Sequence, residues 1–164
     1  MKEKKTMNTL EDIQSLLDAP NHSEIVPNLF IGSIESVRDP AVIGTMDAIV
    51  SLVRAKNVPQ SFFDGILPAG SDHLYIDLRD RSNVDISNYF NATEQFIRAH
   101  LQKGDRVLVH CMMGRSRSVT IVANYLIKEN DWDAYRALKV IKGKRAVIRP
   151  NRGFIRQLVI VSSK

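Results

Sequence analysis

The sequence predicts an α/β fold, a three-layer sandwich in which a mostly parallel central sheet of about five strands is flanked by helices. Three observations carry this expectation. Short continuous apolar runs recur at 48–53, 74–76 and 107–109, the pattern of strands buried on both faces. Apolar residues at helical spacing lie between and after them. The 164 residues, 44% of them hydrophobic, suffice for one core and show no internal repeat or low-complexity tract.

Element by element, Asn8 to Asp18 reads as a short amphipathic helix, capped by Asn8 or Thr9 and stopped by Ala19-Pro20. Its apolar stripe of Leu10, Ile13 and Leu17 needs a cover, either its own domain or a second copy of the chain, so monomer and homodimer both stand. Residues 1–22 form this extension and 23–164 one domain. Glu24-Ile25-Val26 and Leu29-Phe30-Ile31-Gly32 flank Pro27-Asn28 as a hairpin, and Ala48 to Val53 is the next strand. The Pro- and Gly-bearing stretch from Val58 to Asp72 is a loop that either lines a substrate face or merely connects. Leu74-Tyr75-Ile76 is a strand, and Asp85 is a good N-cap for a helix burying Ile86, Phe90, Thr93, Ile97 and Leu101. After the strand Val107-Leu108-Val109, the positions Val119, Val122, Ala123, Leu126 and Ile127 mark a helix face. Ile121 and Tyr125 broaden it enough for a largely buried helix. Ala134, Ala137, Leu138 and Ile141 mark another helix, and Phe154, Ile155, Leu158 and Val159 a last one, with Trp132 as a packing anchor in the turn before them.

The chemistry centres on Cys111, the single cysteine, in His110-Cys111-Met112-Met113-Gly114-Arg115-Ser116-Arg117-Ser118. A strand, a tight Gly-containing turn and a helix start in succession make a cradle of backbone N–H groups, an anion-binding geometry. A thiol held there ionises, because helix N-termini and nearby cations bring a cysteine pKa from about 8.5 to roughly 3.5–7.5. Cys111 is therefore a candidate nucleophile, and Arg117 offers a planar fork of donors matched to phosphate. His110 braces the loop by hydrogen bonding; it and Cys111 lack the accompanying ligands of a metal site.

One cysteine permits no intrachain disulfide and fits a reducing compartment, cytoplasmic or nuclear. The polar start Met1 to Met7 lacks a following apolar stretch, so no secretory signal is expected, and no apolar run is long enough for a membrane span. A net charge of +5 suits acidic or phosphorylated partners. The run Lys139, Lys142, Lys144, Arg145 and Arg149 either solvates a helix face and loop or assists such a partner.

His110-Cys111, five intervening residues and Arg117-Ser118 resemble the His-Cys-x5-Arg-Ser/Thr signature of the cysteine-dependent protein tyrosine phosphatases. Ser116-Arg117-Ser118-Val119 with Ala123-Asn124-Tyr125-Leu126-Ile127, the opening Asn28-Leu29-Phe30-Ile31-Gly32-Ser33, and Pro150-Asn151-Arg152-Gly153-Phe154 with Gln157-Leu158 are similar to the small, atypical dual-specificity phosphatases. The resemblance spans about residues 23–161. It implies a protein tyrosine phosphatase-like fold and hydrolysis of phosphotyrosine and phosphoserine/phosphothreonine proteins through a phosphocysteine at Cys111. No metal or cofactor is implied, and phosphorylated proteins rather than nucleic acid are the expected partners.

The same resemblance implies that Arg117 and the loop of His110, Met112, Met113, Gly114, Arg115 and Ser116 hold the phosphate. It implies that the Ser118 hydroxyl stabilises the departing thiolate, a role compatible with a helix-cap hydroxyl. A leaving oxygen needs a proton, and Asp80 aligns best with the family's general acid. Asp77 competes, or else braces the strand end; Asp85 competes, or else caps the helix. Met113 is expected to pack beneath the loop. Arg115, where many relatives have an apolar residue, is either a second cation for a polyanionic headgroup or a solvent-facing arginine. A stretch like the phosphotyrosine-recognition loop is not found, which implies a shallow pocket. Phosphatases of phospholipid or RNA 5′-phosphate, and a catalytically silent phosphoprotein-binding module, are the alternative functions.

Overall fold

The computed structural model describes residues 9–164. In chain order these form α1 (Leu10–Leu17), β1 (His22–Val26), β2 (Leu29–Gly32), α2 (Ile34–Arg38), α3 (Pro40–Ile43), β3 (Ala48–Val53) and a 3-10 turn at Gln60–Phe63. There follow β4 (Asp72–Asp77), a 3-10 turn at Ile86–Tyr89, α4 (Phe90–Gln102), β5 (Val107–His110), α5 (Arg117–Asn130), α6 (Ala134–Lys144) and α7 (Arg152–Ser162). The sheet order is β1-β2-β5-β3-β4, with β1 antiparallel to β2 and every other pairing parallel. This is the predicted three-layer α/β fold.

The sheet separates two apolar layers, and successive side chains of one strand feed opposite layers. In β5, Val107 and Val109 face the helices α4 to α7 together with Ile31, Val50 and Leu52. Leu108 faces the other way, with Phe30, Ile49, Val53 and Phe63. Because β2, β3 and β5 are covered on both faces, all their residues are buried, which is why they read as near-continuous apolar runs, interrupted by Ser51 in β3 and closed by His110 in β5. The helix α5 is buried from Arg117 to Ile127, as its broadened apolar face predicts. It ends at Asp131, whose left-handed φ of 54° turns the chain toward half-buried Trp132, over which the Arg136 guanidinium stacks at 4.5 Å. No helix among the described residues is long and apolar enough to cross a membrane.

The structure differs from expectation in several places. The stripe on α1 is not covered by its own domain: Leu10, Ile13 and Leu17 are exposed. Asn8, one of its two candidate caps, lies outside the described residues. The loop from Val58 neither lines the pocket at Cys111, the expected substrate face, nor simply connects. Val58 and Phe63 are buried, Tyr75 Oη donates to the Val58 carbonyl at 2.6 Å, and Phe63 packs on His73, Tyr75 and His110, so this segment closes the second apolar layer. Asp85 precedes a 3-10 turn rather than α4 itself, and its carboxylate accepts from the Ser87 hydroxyl instead of from a backbone N–H. The short helices α2 and α3 were not anticipated, being too brief to show a period.

Candidate active site

The loop from His110 to Arg117 joins β5, a central strand, to α5, and its shape follows from local constraints. Cys111 N–H donates to the Gly32 carbonyl at 3.3 Å and Ile34 N–H to the Met112 carbonyl at 3.0 Å, tying the loop to the end of β2. Gly114 adopts φ +63°, and a Cβ there would stand 2.8 Å from the Gly32 carbonyl, so the turn needs glycine for conformation and for space. The turn carries Met112 into the apolar layer and Met113 outward. Met113 is 55% exposed at the pocket rim, correcting the expectation that it packs beneath the loop.

Cys111 sits 2% exposed at the floor of a pocket of about 220 Å³ that Asp80, Met113, Arg115, Ser116, Arg117 and Arg149 complete. Burial alone would raise its pKa. The Arg117 charge, the Ser118 hydroxyl and the backbone N–H groups of Ser118 and Arg115 together outweigh that and hold the thiol below its ordinary value. Ser118 Oγ lies 3.2 Å from the sulfur, so its side chain serves the thiol, while the N-cap position of α5 belongs to Ser116. Arg117 is buried and anchored by Nη1 to the Leu78 carbonyl at 3.0 Å; its Nε has no hydrogen-bond partner among the described residues and is a donor suited to a phosphate oxygen.

His110 lies under the loop, fully buried. Its Nδ1 is 3.2 Å from the Cys111 carbonyl, which only accepts, so Nδ1 carries the proton and Nε2 accepts from Ser51 Oγ at 2.6 Å. The Ser51 oxygen in turn accepts from His73 Nε2 at 2.8 Å. Burial above all lowers the His110 pKa to about 4, keeping the ring neutral.

Of the three aspartates that compete as proton donor, only Asp80 reaches the pocket. Asp77 Oδ1 instead accepts from the Ala55 N–H at 3.0 Å and lies 3.5 Å from Arg54 Nε, bracing the strand end. Asp80 Oδ1 accepts from Ser116 Oγ at 2.7 Å and from Asn151 Nδ2 at 2.8 Å, and the Asn151 N–H donates to Ser116 Oγ at 3.0 Å. The rest of the Asp80 loop is docked on α7. Gln157 donates to the Val84 carbonyl and accepts from Ser87 N–H, at 2.9 and 3.0 Å. A Cβ on Gly153 would collide with the Ser82 backbone, so glycine lets loop and helix meet.

Two arginines behave unlike their sequence reading. Arg145, expected either on a solvated basic face or beside an acidic partner, is 2% exposed. Its guanidinium donates to the carbonyls of Gly114 (2.8 Å), Met113 (3.3 Å) and Pro20 (2.7 Å) and to Ser23 Oγ (3.0 Å). Five donors in one plane suit a set of converging carbonyls, which is why this cation is inside while Lys139, Lys142 and Lys144 stay exposed. Arg115 is half-buried, with Nε donating to the Val147 carbonyl at 3.2 Å, so it is not the solvent-facing arginine of the alternative reading. Its carbonyl accepts from the Arg149 N–H at 2.8 Å, which brings Arg149 to the pocket. Asn151, Gln157, Arg145 and Ser51 join the site without an expectation from sequence that they would. Asn151 could have been found as the N-cap it is, accepting from Phe154 N–H at 2.9 Å, but nothing local marks the others.

A larger cavity of about 550 Å³, between α4, α5 and α7, is lined by Ser87, Asn124 and Lys128 but by no cysteine or arginine, so the candidate site stays at Cys111.

Comparison with known proteins agrees with this geometry. Residues 29–164 match the family described as dual specificity phosphatase, catalytic domain. The chain is 36% identical over 160 residues to tyrosine-protein phosphatase yvh1 of Schizosaccharomyces pombe, covering 90% of this chain and 45% of that protein. It is 35% identical over 136 residues to dual specificity protein phosphatase 1B of Arabidopsis thaliana, covering 83% of this chain and 78% of that one. It therefore spans less than half the length of yvh1 and, in the protein phosphatase Slingshot homolog of Xenopus laevis, 20%. Among solved structures, the human tyrosine phosphatase-like serine/threonine/tyrosine-interacting protein superposes with a TM-score of 0.78 at 28% identity, over 87% of this chain and 95% of that one. The chain belongs to the dual specificity phosphatase catalytic-domain family, within the protein tyrosine phosphatase superfamily.

Proposed function

We propose that the protein hydrolyses phosphate monoesters on phosphotyrosine and phosphoserine/phosphothreonine proteins through a phosphocysteine at Cys111. The Cys111 thiolate attacks phosphorus in line with the leaving oxygen. Arg117 and the loop N–H groups hold the other phosphoryl oxygens as charge develops on them. The P–O bond breaks as Asp80 gives its proton to the leaving oxygen. Both donors to Asp80 reach Oδ1, so Oδ2 is left to carry that proton. In the second step a water gives a proton to the Asp80 carboxylate and attacks phosphorus. The S–P bond breaks, and the Ser118 hydroxyl stabilises the thiolate as it departs.

The observation that supports this reading best is the convergence of Asp80, Cys111 and Arg117 on one small pocket, with the thiol pKa lowered. A thiolate nucleophile suits a reducing compartment, cytoplasmic or nuclear. Hydrolysis of phosphotyrosine and phosphothreonine peptides by the wild type, and none by Cys111→Ser, is the expected result. A preference of several orders of magnitude for phosphotyrosine would remove the dual specificity, and no turnover of any phosphate ester would leave the phosphoprotein-binding module.

A second reading, hydrolysis of phospholipid or RNA 5′-phosphate substrates, is favoured by Arg115 and Arg149, which line the pocket beside Arg117. Parallel assays with a phosphoinositide and a triphosphorylated RNA test it. The exposed stripe of α1 favours the homodimer over the monomer. A solution mass of two chains that falls to one on deleting residues 1–20 is expected, and one chain for both would end the idea.

A further inference from the structure

The cavity of about 550 Å³ between α4, α5 and α7 is built unlike the catalytic pocket. Two buried residues, Asn124 of α5 and Phe90 of α4, form its floor. Asn124 Nδ2 donates to the Phe90 carbonyl at 3.4 Å, and because a carbonyl only accepts, this contact fixes which end of the amide is which. The other end, Oδ1, is buried and has no hydrogen-bond partner among the described residues. A buried acceptor left unpaired costs stability, and a donor brought into the cavity removes that cost. One turn along the same face of α5, Lys128 stands exposed at the mouth, where Lys164 also lies. Neither lysine forms an ion pair among the described residues. The carboxylate in the wall, Glu94, is engaged by Arg98 Nη2 at 2.7 Å. Gln157 Oε1 and the Ser87 N–H, also in the wall, are spent on each other. Between floor and mouth run the apolar side chains of Ile160 and Val161, with Ile160 57% exposed. The free chemistry therefore has a direction, from an acceptor at the bottom through an apolar slot to two cations at the top.

We propose that this cavity binds a small aromatic carboxylate that carries an O–H or N–H group at the end opposite its carboxylate. The donor pairs with Asn124 Oδ1, the ring lies against Phe90, Ile160 and Val161, and the carboxylate meets Lys128 and Lys164 at the mouth. The volume falls within the range of about 300–1,000 Å³ usual for small-molecule sites, which pair apolar walls with a few directed polar groups. A flat ring suits the slot because it meets the Phe90 ring in aromatic contact as well as burying apolar area. A phosphoryl group is a poor match: no arginine lines the cavity, and the Ser87 N–H is already committed to Gln157. The site is separate from the pocket at Cys111, with which it shares no lining residue, so this inference goes beyond the phosphatase reading and does not depend on it.

The test titrates the full chain, observed by NMR, with three compounds that differ by one group each: 4-hydroxyphenylacetate, phenylacetate without the hydroxyl, and 4-hydroxyphenylacetamide without the charge. We expect saturable binding of the first with a Kd on the order of 0.1 mM. The other two should each bind about fivefold more weakly, one lacking the hydrogen bond and the other the ion pair. Nuclear Overhauser contacts from the ligand ring should reach the methyls of Ile160 and Val161. Asn124→Ala should bind 4-hydroxyphenylacetate no better than phenylacetate, and Lys128→Gln should narrow the gap between acid and amide. Both variants should turn over p-nitrophenyl phosphate at the wild-type rate. Equal affinities for the three compounds, or no saturation below about 10 mM, would overturn the site. So would ring contacts to the Met113 methyl, which stands at the rim of the catalytic pocket, in place of Ile160 and Val161. Hydroxyl selectivity that survives in Asn124→Ala, whatever that variant's stability, would reduce Asn124 to a structural amide and overturn the proposal as well.

Discussion

Asn151 Nδ2 donates to Asp80 Oδ1 at 2.8 Å across 71 residues of chain, while the Oδ1 of the same Asn151 caps α7 by accepting from Phe154 N–H. One side chain therefore holds both the helix start and the candidate proton donor. Asn151→Asp separates the two functions, keeping the cap acceptor and losing the amide donor. The melting temperature should change little. Turnover of alkyl phosphates, whose leaving oxygen needs the proton most, should fall about tenfold, the worth of one hydrogen bond to a charged group. Aryl phosphates with good leaving groups should be affected less. Equal losses on both substrates would mean that Asn151 does not act through Asp80.

Ser118→Ala addresses the second step. The hydroxyl 3.2 Å from Cys111 Sγ matters most when that sulfur leaves as thiolate. The phosphoenzyme should accumulate, seen as a burst of p-nitrophenol followed by a steady rate tenfold to about a hundredfold lower. A lower rate without a burst would place the loss in the first step.

Arg145→Met removes the guanidinium and leaves the carbonyls of Met113, Gly114 and Pro20 without a donor. Unsatisfied buried carbonyls cost about 1–3 kcal/mol each before relaxation, so denaturant unfolding should show a loss of about 2–4 kcal/mol. The loop N–H groups should also lose their alignment on Cys111, so that iodoacetate alkylation of the variant shifts to higher pH. An unchanged alkylation profile would confine Arg145 to holding the N-terminal segment.

The pH dependence of stability has a definite sign. The folded-state pKa of His110 is lowered from 6.5 to about 4. Between these values the unfolded chain binds a proton that the folded chain does not, so folding stability falls as pH drops from about 6.5 toward 4. His73, lowered for the same reason of burial, adds to it. His110→Asn should be less stable at pH 7 yet show a shallower decline from pH 7 to 4.5 in melting temperature. A parallel decline would locate the effect elsewhere.

Gly153→Ala introduces a Cβ against the Ser82 backbone, which is a neighbour that cannot simply rotate away. The Asp80 loop should lift from α7, lowering kcat on alkyl phosphates more than thiol reactivity at Cys111. Loss of both together would indicate a general loosening.

The parts of this site that were legible in the sequence are those built by consecutive residues. The strand, turn and helix start around Cys111 impose their geometry through backbone alone, so His110 to Ser118 could be read directly. Asp80 was separable from Asp77 and Asp85 only by resemblance, because carboxylates a few residues apart have the same chemistry until folding aims one of them. Arg145 was read as part of a solvated basic face because the carbonyls it serves, at Pro20, Met113 and Gly114, are distant in sequence and carry no side-chain signature. The stripe on α1 shows the converse: its period predicts a helix correctly and says nothing of what, if anything, lies against it.

The strand order also governs when reactivity begins. β5 is inserted between β2 and β3, both of which precede it by more than fifty residues, so the middle of the sheet is the last strand to be made. Until it pairs, Cys111 has no Gly32 carbonyl to fix its peptide, and Arg145 has not yet been synthesised to grip the turn. During synthesis and early collapse the chain thus carries an ordinary thiol, with the ordinary resistance of a protonated sulfur to oxidants. Thiolate character arrives together with the completed sheet, so a nascent or unfolded chain is shielded from oxidative damage by the very disorder that leaves it inactive.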